Sequence, residues 1–312
     1  HATTREAFAQ LHMPLGAEGS GLALTGGVRG GRVSMRTQDH FTSNGNDSGE
    51  LAFSYFNPVL GLRWTAAPGL ALHASLARGF ESPTLGELAY RPDGAGGFNS
   101  ALKGQTSRQF ELGAKWRLAT LSLDAAVFQA DTDNEIGVLS NTGGRSTFQN
   151  VGRTRRQGAE LSVTWRPVRG LRLQAATTVL DAHYLDGFGA GTSAVRPGNR
   201  IAGTQRASHW GQAAWQPGWM PGEWALEWRG VARTAVNDTN TDAAGAYGLA
   251  ALRWSHRMPL SASDTLELMA RVDNLFDRVY AGSVIVNDGN ARYFEPGLPR
   301  NGLVSVRWQH RW

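Results

Sequence analysis

Two lengths of connection alternate along this chain without exception, and nothing else narrows its fold as much. Between the connections, apolar and polar side chains take turns, the two-residue period of a strand with one wet and one apolar face. Phe110, Leu112, Ala114, Trp116 and Leu118 oppose Glu111, Gly113, Lys115 and Arg117, and Ala159, Leu161, Val163 and Trp165 oppose Glu160, Ser162, Thr164 and Arg166. In the final segment Val304, Val306, Trp308, His310 and Trp312 oppose Leu303, Ser305, Arg307, Gln309 and Arg311. Short connections fall near 14–21, 65–69, 118–120, 167–170, 217–222 and 258–263, and long ones near 37–50, 79–106, 131–146, 182–202, 235–246 and 281–300. An up-and-down membrane barrel has short turns at one rim and long loops at the other. A soluble sandwich or propeller supplies no reason for such strict alternation.

Composition agrees. Charged residues make up 18% of 312, low for a soluble domain of this size. No apolar run reaches the roughly 18 residues of a membrane helix, which leaves a closed barrel as the way to cross a bilayer. The absence of cysteine excludes a disulfide framework and a thiolate metal site. The formal charge is +5, and of 31 basic residues only Lys103 and Lys115 are lysines. The arginines are scattered on alternate strand positions rather than clustered, which argues against a nucleic-acid partner. Trp64, Trp116, Trp165, Trp308 and Trp312 lie near short-turn ends, where they are expected to form an aromatic girdle.

The strand count comes to about thirteen, an odd number, whereas single-chain bacterial barrels have even numbers. Residues 1–13 open in mid-strand with no signal peptide. The expectation is that residues 1–312 are the C-terminal part of a larger barrel, whose two unpaired strand edges would make the isolated piece aggregate or dimerise.

Four segments carry a family resemblance. A-R-G-F-E-S-P-T-L-G-E-L (Ala77–Leu88), L-K-G-Q-T-S-R-Q-F-E-L-G-A-K (Leu102–Lys115), F-Q-N-V-G-R-T-R-R-Q-G-A-E-L (Phe148–Leu161) and Asp273-Asn274-Leu275-Phe276-Asp277 with Tyr280 resemble, in order, segments of TonB-dependent outer-membrane receptors. The resemblance covers nearly the whole chain. It implies an all-β fold, an antiparallel transmembrane β-barrel of which these are the last thirteen of 22 strands. The family's plug and the segment that engages TonB are absent from these residues, and His310 stands where the closing strand usually has an apolar residue. The Asn274–Phe276 stretch is expected to be a strand feature packing the lumen.

What the resemblance implies about function is import. An intact receptor would bind a scarce extracellular chelate, above all a ferric siderophore or ferric carboxylate, and take it up with energy relayed by the TonB–ExbB–ExbD system through an N-terminal region. Its place would be the outer membrane of a Gram-negative bacterium, in contact with membrane lipid. Ser283–Pro296 looks like a subset handling ferric carboxylates or small anionic cofactors such as pyrroloquinoline quinone. A plugless passive pore is the alternative reading. No cofactor of the protein's own is implied.

Such ligands are anionic and often planar. An arginine fork pairs bidentately with carboxylate, and tyrosine can stack on a flat ligand. The ligand-binding candidates in the long loops are Tyr90, Arg91, Arg145, Tyr184, Arg196, Arg292 and Tyr293. Arg153 and Arg155 share one strand face and Arg156 has the other, and they are expected to pair with lumen carboxylates such as Glu111 or Glu160. The eight histidines show no metal-protease spacing and there is no nucleophile elbow, so no catalytic residue is expected. Asp181 and His183 merely share a strand face.

Overall fold

A computed structural model of the chain describes residues 1–16, 19–43, 45–93, 95–142 and 144–311. Period-2 segments become the strands of one antiparallel sheet: β1 (Ala2–Leu15), β2 (Leu22–Thr37), β3 (Gly49–Ala67), β4 (Leu70–Glu81), β5 (Gln105–Arg117) and β6 (Leu121–Asp133) come first. They are followed by β7 (Thr154–Trp165), β8 (Leu171–Tyr184), β9 (Ala207–Trp215), β10 (Glu223–Val231), β11 (Tyr247–Pro259), β12 (Asp264–Asp273) and β13 (Asn301–His310). All thirteen pair in that order, each with the strand before and the strand after, and β1 and β13 have one neighbour each. Among the described residues no helix is long and apolar enough to cross a membrane.

Register sorts the side chains into two faces. Leu62 opposes Leu24 and Ala74, and Ala74 opposes Leu112, which opposes Val127. The apolar row continues through Ala159 and Val179. The other face is polar. There Glu6 is bonded by Arg29 and Tyr55, and Glu227 by Gln212 and Arg271.

Short turns are set by glycine where backbone approaches backbone. Gly69 has φ +77°, and a Cβ there would meet the Arg117 carbonyl oxygen at 2.1 Å. Gly170 does the same beside Gln216, with φ +82°. Only glycine tolerates both demands cheaply. At this rim the apolar face carries Trp64, Trp116, Trp165 and Trp308, as the sequence suggests, joined by Trp215, Trp224 and Trp254, which follow one another across β9, β10 and β11. The Trp254 indole N–H donates to the Pro221 carbonyl at 3.1 Å and that of Trp308 to Asp264 at 3.1 Å. Trp312 lies outside the described residues. His310 sits on this face because Asp264, directly opposite, bonds its ring at 2.9 Å.

Three long loops rise as short two-stranded ladders: Ile136–Thr142 with Arg145–Asn150, Thr234–Ala235 with Ala243–Ala244, and Ala281–Val284 with Phe294–Pro296. Between the connections near 131–146 and 167–170 the sequence predicts one strand, Thr147–Arg166, and the structure makes it two. Gly152 takes φ +85° and Val151 is buried, so the backbone turns out of the sheet there.

One ladder stops early. Thr65 donates its amide to Gly21 beside β2, so odd-numbered residues of β3 bond to β2 and even-numbered ones face β4. Pro58 is even-numbered and has no N–H to give. Pairing between β3 and β4 ends one residue earlier, at Val59 and Ala77, while β2 and β3 remain paired up to Thr37 and Gly49. Phe80 packs over the gap, stacked on Tyr55 with ring centres 4.9 Å apart and tilted against Phe53 at 6.3 Å. Hydrogen–deuterium exchange in detergent is expected to split by parity along this stretch. The amides of Ala52, Ser54 and Phe56 should exchange faster than those of Phe53, Tyr55 and Asn57, and equal protection of both sets would refute the early stop.

Candidate ligand-binding site

The long-loop end of the sheet is held together by one buried carboxylate. Asp238 is 6% exposed. Its Oδ1 accepts from the Tyr184 hydroxyl at 2.8 Å and the Ala202 amide at 3.2 Å, and its Oδ2 accepts from Asn287 Nδ2 at 2.7 Å. Asn287 returns the contact, accepting the Asp238 amide at 3.0 Å, and it also donates to the Val138 carbonyl at 3.1 Å. Gly289 donates to Asn141 at 2.8 Å. Loops after β6, β8, β10 and β12 are thus tied at one point. Their walls border an open cleft of about 310 Å³, which Val138, Phe188, Asn237, Thr239, Asp288 and Tyr293 help to line.

The seven sequence candidates fall into different settings. Arg145 lies over the Tyr90 ring, 5.4 Å from its centre, a cation–π contact. Arg91 pairs with Asp47 at 3.3 Å. Tyr293 lines the cavity and packs edge-on against Phe294, and Arg292 beside it is exposed. Arg196 is exposed with no side-chain partner among the described residues. Tyr184 differs: it is 3% exposed, packed with Val151 and Val195, and its hydroxyl is spent on Asp238. It holds the loops from beneath. Sequence reasoning missed Asp238 and Asn287. The available signal was that both loops contain V-N-D, at Val236–Asp238 and Val286–Asp288.

The three clustered arginines pair elsewhere than Glu111 or Glu160. Arg153 makes a forked contact to Asp186 at 2.8–3.3 Å, Arg155 binds Asp131 at 2.6 and 2.9 Å, and Arg156 binds Glu135 at 2.6 and 3.0 Å. Those carboxylates lie at the long-loop end, level with the arginines, whereas Glu111 is bonded by His73 and opposes Phe128 further down its strand. Hydrogen bonds from the Arg153 side chain and amide hold the Asp186 carboxyl below its ordinary value. Burial, reinforced by nearby Arg206, lowers the Arg200 guanidinium, and Asp181 at 2.9 Å opposes that shift. His183 shares Asp181 with Arg200, so this pair belongs to an ion cluster. Among the described residues no group of three or more potential ligands could hold a metal ion.

The polar face below carries connected charges. Glu223 is reached by Arg253 at 2.9 Å and Arg172 at 3.4 Å, and Arg271 bridges Glu227 and Asp273, each at 2.8 Å. A face of this kind facing a wide interior, an apolar face ringed by tryptophan, and loops long at one rim only describe a membrane barrel wall. The family model for the TonB-dependent receptor-like β-barrel matches residues 1–275. The chain belongs to this family. Among curated relatives, the pesticin receptor of Yersinia enterocolitica is 25% identical over 285 residues, covering 85% of this chain and 38% of its own length. The vitamin B12 transporter BtuB of Photobacterium profundum is 24% identical over 267 residues, covering 84% and 39%. Among solved structures, the ferric yersiniabactin uptake receptor FyuA of Yersinia pestis superposes with a TM-score of 0.76 at 20% identity, over 99% of this chain and 45% of that one. The chain spans about two fifths of the length of the curated relatives it matches. These relatives are receptors and transporters rather than enzymes, and the family's barrels sit in the outer membrane of Gram-negative bacteria.

Two family-like segments have structural duties here. In Ala77–Leu88, Thr84 and Glu87 bond reciprocally, the Thr84 amide to Glu87 at 2.7 Å and the Glu87 amide to Thr84 at 3.3 Å. That capping-box arrangement drives Leu88, fully buried, into a cluster with Val33, Met35, Phe98 and Leu102. In Asp273–Asp277, Asn274 is no strand residue. It takes φ +48°, and its side chain donates to the Arg278 and Leu298 carbonyls at 2.8 and 3.2 Å and accepts the Arg278 amide. Asparagine tolerates that left-handed conformation. Phe276 is exposed rather than packed.

Two outcomes follow from these contacts. Asp238→Ala leaves three donors without an acceptor and should loosen all four loops by about 3 kcal/mol. Limited proteolysis of the folded protein should then cut residues 235–246 and 281–300 at least tenfold faster, with the strands still protected. The Arg153–Asp186 contact has a pH signature. A depressed carboxylate stabilises the fold above its ordinary value, about 3.9, and that contribution is lost as pH falls through the lower folded value. Side-chain NMR of Asp186 should therefore show a midpoint below the ordinary aspartate value, and in Arg153→Gln it should return toward that value.

Proposed function

We propose that the long-loop rim binds a scarce extracellular chelate, a ferric siderophore or ferric carboxylate, and that the intact receptor imports it with energy supplied through TonB. Family membership supports this reading, and one observation of the rim carries it: loops from four hairpins are locked to a single buried carboxylate, leaving arginine and tyrosine side chains at their surface. Anionic chelates need preorganised cations, because ordering a free loop on binding would cost affinity. Tyr90 with Arg145, Arg91, Arg196, and Arg292 with Tyr293 are the proposed contacts, and Tyr184 supports them from beneath.

Uptake by cells carrying the intact receptor tests the reading. Radiolabelled iron should enter with at least one ferric chelate and stop when the proton-motive force is collapsed. Arg145→Ala and Arg292→Ala should each weaken binding about tenfold, the size of one charge-assisted contact, without lowering the amount of folded barrel. Uptake insensitive to an uncoupler would indicate a passive pore. Transport of pyrroloquinoline quinone or vitamin B12, with no ferric chelate accepted, would replace the ligand class.

A further inference from the structure

The gap that Pro58 opens in the wall has two free lips. Beyond the last pair, Val59 with Ala77, the even-numbered residues of β3 still turn their backbone groups toward β4. On β4 the parity matches. Arg117 donates its amide to Gly69, so odd-numbered residues of β4 bond to β5 and even-numbered ones face β3. Ala52, Ser54 and Phe56 on one lip, and Arg78 and Phe80 on the other, therefore turn N–H and C=O groups to a gap rather than to a strand. Among the described residues no backbone hydrogen bond crosses it.

The gap has a definite shape. A groove of about 340 Å³ runs along it, lined by residues 52–57 of β3 and, opposite them, by Arg78 and Phe80. Its lower end is the closed ladder at Val59, and at its upper end Phe98 packs on Gly49. Phe80 stacked on Tyr55 closes its polar side. Its outward side is open, and Ala52, Ser54 and Phe56 are exposed. Phe56 is level with Gly30, and Ser54 with Arg32. The groove thus begins at the border of the apolar band and rises to where water can bond an unpaired amide. Two polar groups at its lower end have no partner among the described residues: Asn57 Oδ1, which is buried, and the exposed Arg78 guanidinium.

We propose that this groove takes an extended peptide segment of a second protein outside the cell, added as a strand to the edge of β3. Main-chain hydrogen bonds to an exposed edge give such a contact its affinity, and alternate side chains give it specificity. The three free rungs Ala52, Ser54 and Phe56 span about 13 Å and fit a segment of about five residues. At the lower end the segment carries a carboxylate on its outward side, for Arg78, and a hydrogen-bond donor on its inward side, for Asn57. Beside Phe56 its outward side chain is apolar. The occupant is a docked partner rather than cargo, because the groove opens outward and Phe80 with Tyr55 shuts it from the interior. It stands whether or not the long loops bind a ferric chelate.

The intact receptor in detergent micelles tests this with two blocked peptides of about seven residues. Both alternate threonine and valine, and a glutamate sits near one end or the other, so that both strand directions are offered. Hydrogen–deuterium exchange reads the site. One peptide should slow the amides of Ala52, Ser54 and Phe56 at least tenfold and leave those of Phe53, Tyr55 and Asn57, already bonded to β2, unchanged. Affinity, read from the anisotropy of a dye on the peptide, should fall at least tenfold in Ser54→Pro. That substitution removes an N–H that faces the gap, as Pro58 does on the same strand, so the melting temperature should stay near the parent's. Arg78→Gln should weaken the glutamate peptide about threefold and leave its glutamine counterpart unchanged. The parent is also titrated with the peptide N-methylated at the residues that face β3, which should not bind; this arm needs no variant to fold. Equal binding of the methylated and plain peptides overturns the proposal, as does a peptide that protects odd and even amides alike, or neither. So does protection of Ala52, Ser54 and Phe56 before any peptide is added, which would give the edge to a segment of the receptor itself.

Discussion

A bilayer offers no partner to a backbone amide, so every N–H and C=O that crosses it must be paired by a neighbouring strand. The rest of this structure depends on that. It explains why the strands pair in strict chain order, why turns at one rim are cut to the shortest backbone that glycine permits, and why irregular chain is confined to the other rim. It also gives Pro58 its significance. A residue without an N–H, facing β4, ends that ladder at Val59 and Ala77, and the aromatic trio Phe53, Tyr55 and Phe80 covers the resulting edge. Greasy rings substitute for hydrogen bonds only because the stop lies in the long-loop half of the strand, where the loop after β4 packs nearby.

A two-residue period lets one strand serve two solvents. On the polar face charges come in linked sets, Glu223 with two arginines and Arg271 between Glu227 and Asp273. Opposite charges are paired in each set, although Arg172 Nε is buried without a hydrogen-bond partner among the described residues, and the pairing keeps the interior wall polar without leaving a lone charge. On the apolar face charge is admitted only at the borders. Tryptophan marks one border, with its N–H turned to a carbonyl or carboxylate. Charged side chains mark the other, Arg32, Arg78 and Arg108 on β2, β4 and β5 and Asp131 and Asp181 on β6 and β8, with the arginine stems lying along hydrocarbon and their heads reaching water.

Strand positions, the face of each side chain and the alternation of turn and loop were legible in the sequence because each rests on local chemistry. Periodicity also placed four of the girdle tryptophans; Trp215, Trp224 and Trp254 were recognisable only once register set them side by side. The failures were non-local. A strand drawn through Thr147–Arg166 followed from the loop and the turn on either side of it, although apolar alternation runs only over Ala159–Trp165, and the burial of Val151 against Tyr184 and Val195 shows why the chain must turn there. Arg153, Arg155 and Arg156 were assigned to the wrong carboxylates because height along a neighbouring strand is a matter of register. Tyr184 resembled a ligand contact in the sequence, since nothing in one loop reveals that Asp238, 54 residues on, takes its hydroxyl.

The same non-local tie decides how a ligand site can work here. The hairpin formed by Ile136–Thr142 and Arg145–Asn150 is bonded at both ends of its reach. On one side its Val138 and Asn141 carbonyls receive Asn287 and Gly289 from the last long loop. On the other side Arg145 lies over Tyr90 in the loop after β4, and the Phe148 carbonyl takes Asn99 Nδ2 at 3.2 Å. A solute that displaced Arg145 from Tyr90 would therefore strain a ladder joined to Asn287, and through Asn287 to Asp238. Loops that looked like separate ligand-contacting segments in the sequence are mechanically one rim. On the proposed function, selectivity at such a rim would come from the spacing of the loops that carry its arginines as well as from their charge, because the loop backbones are tied to one another.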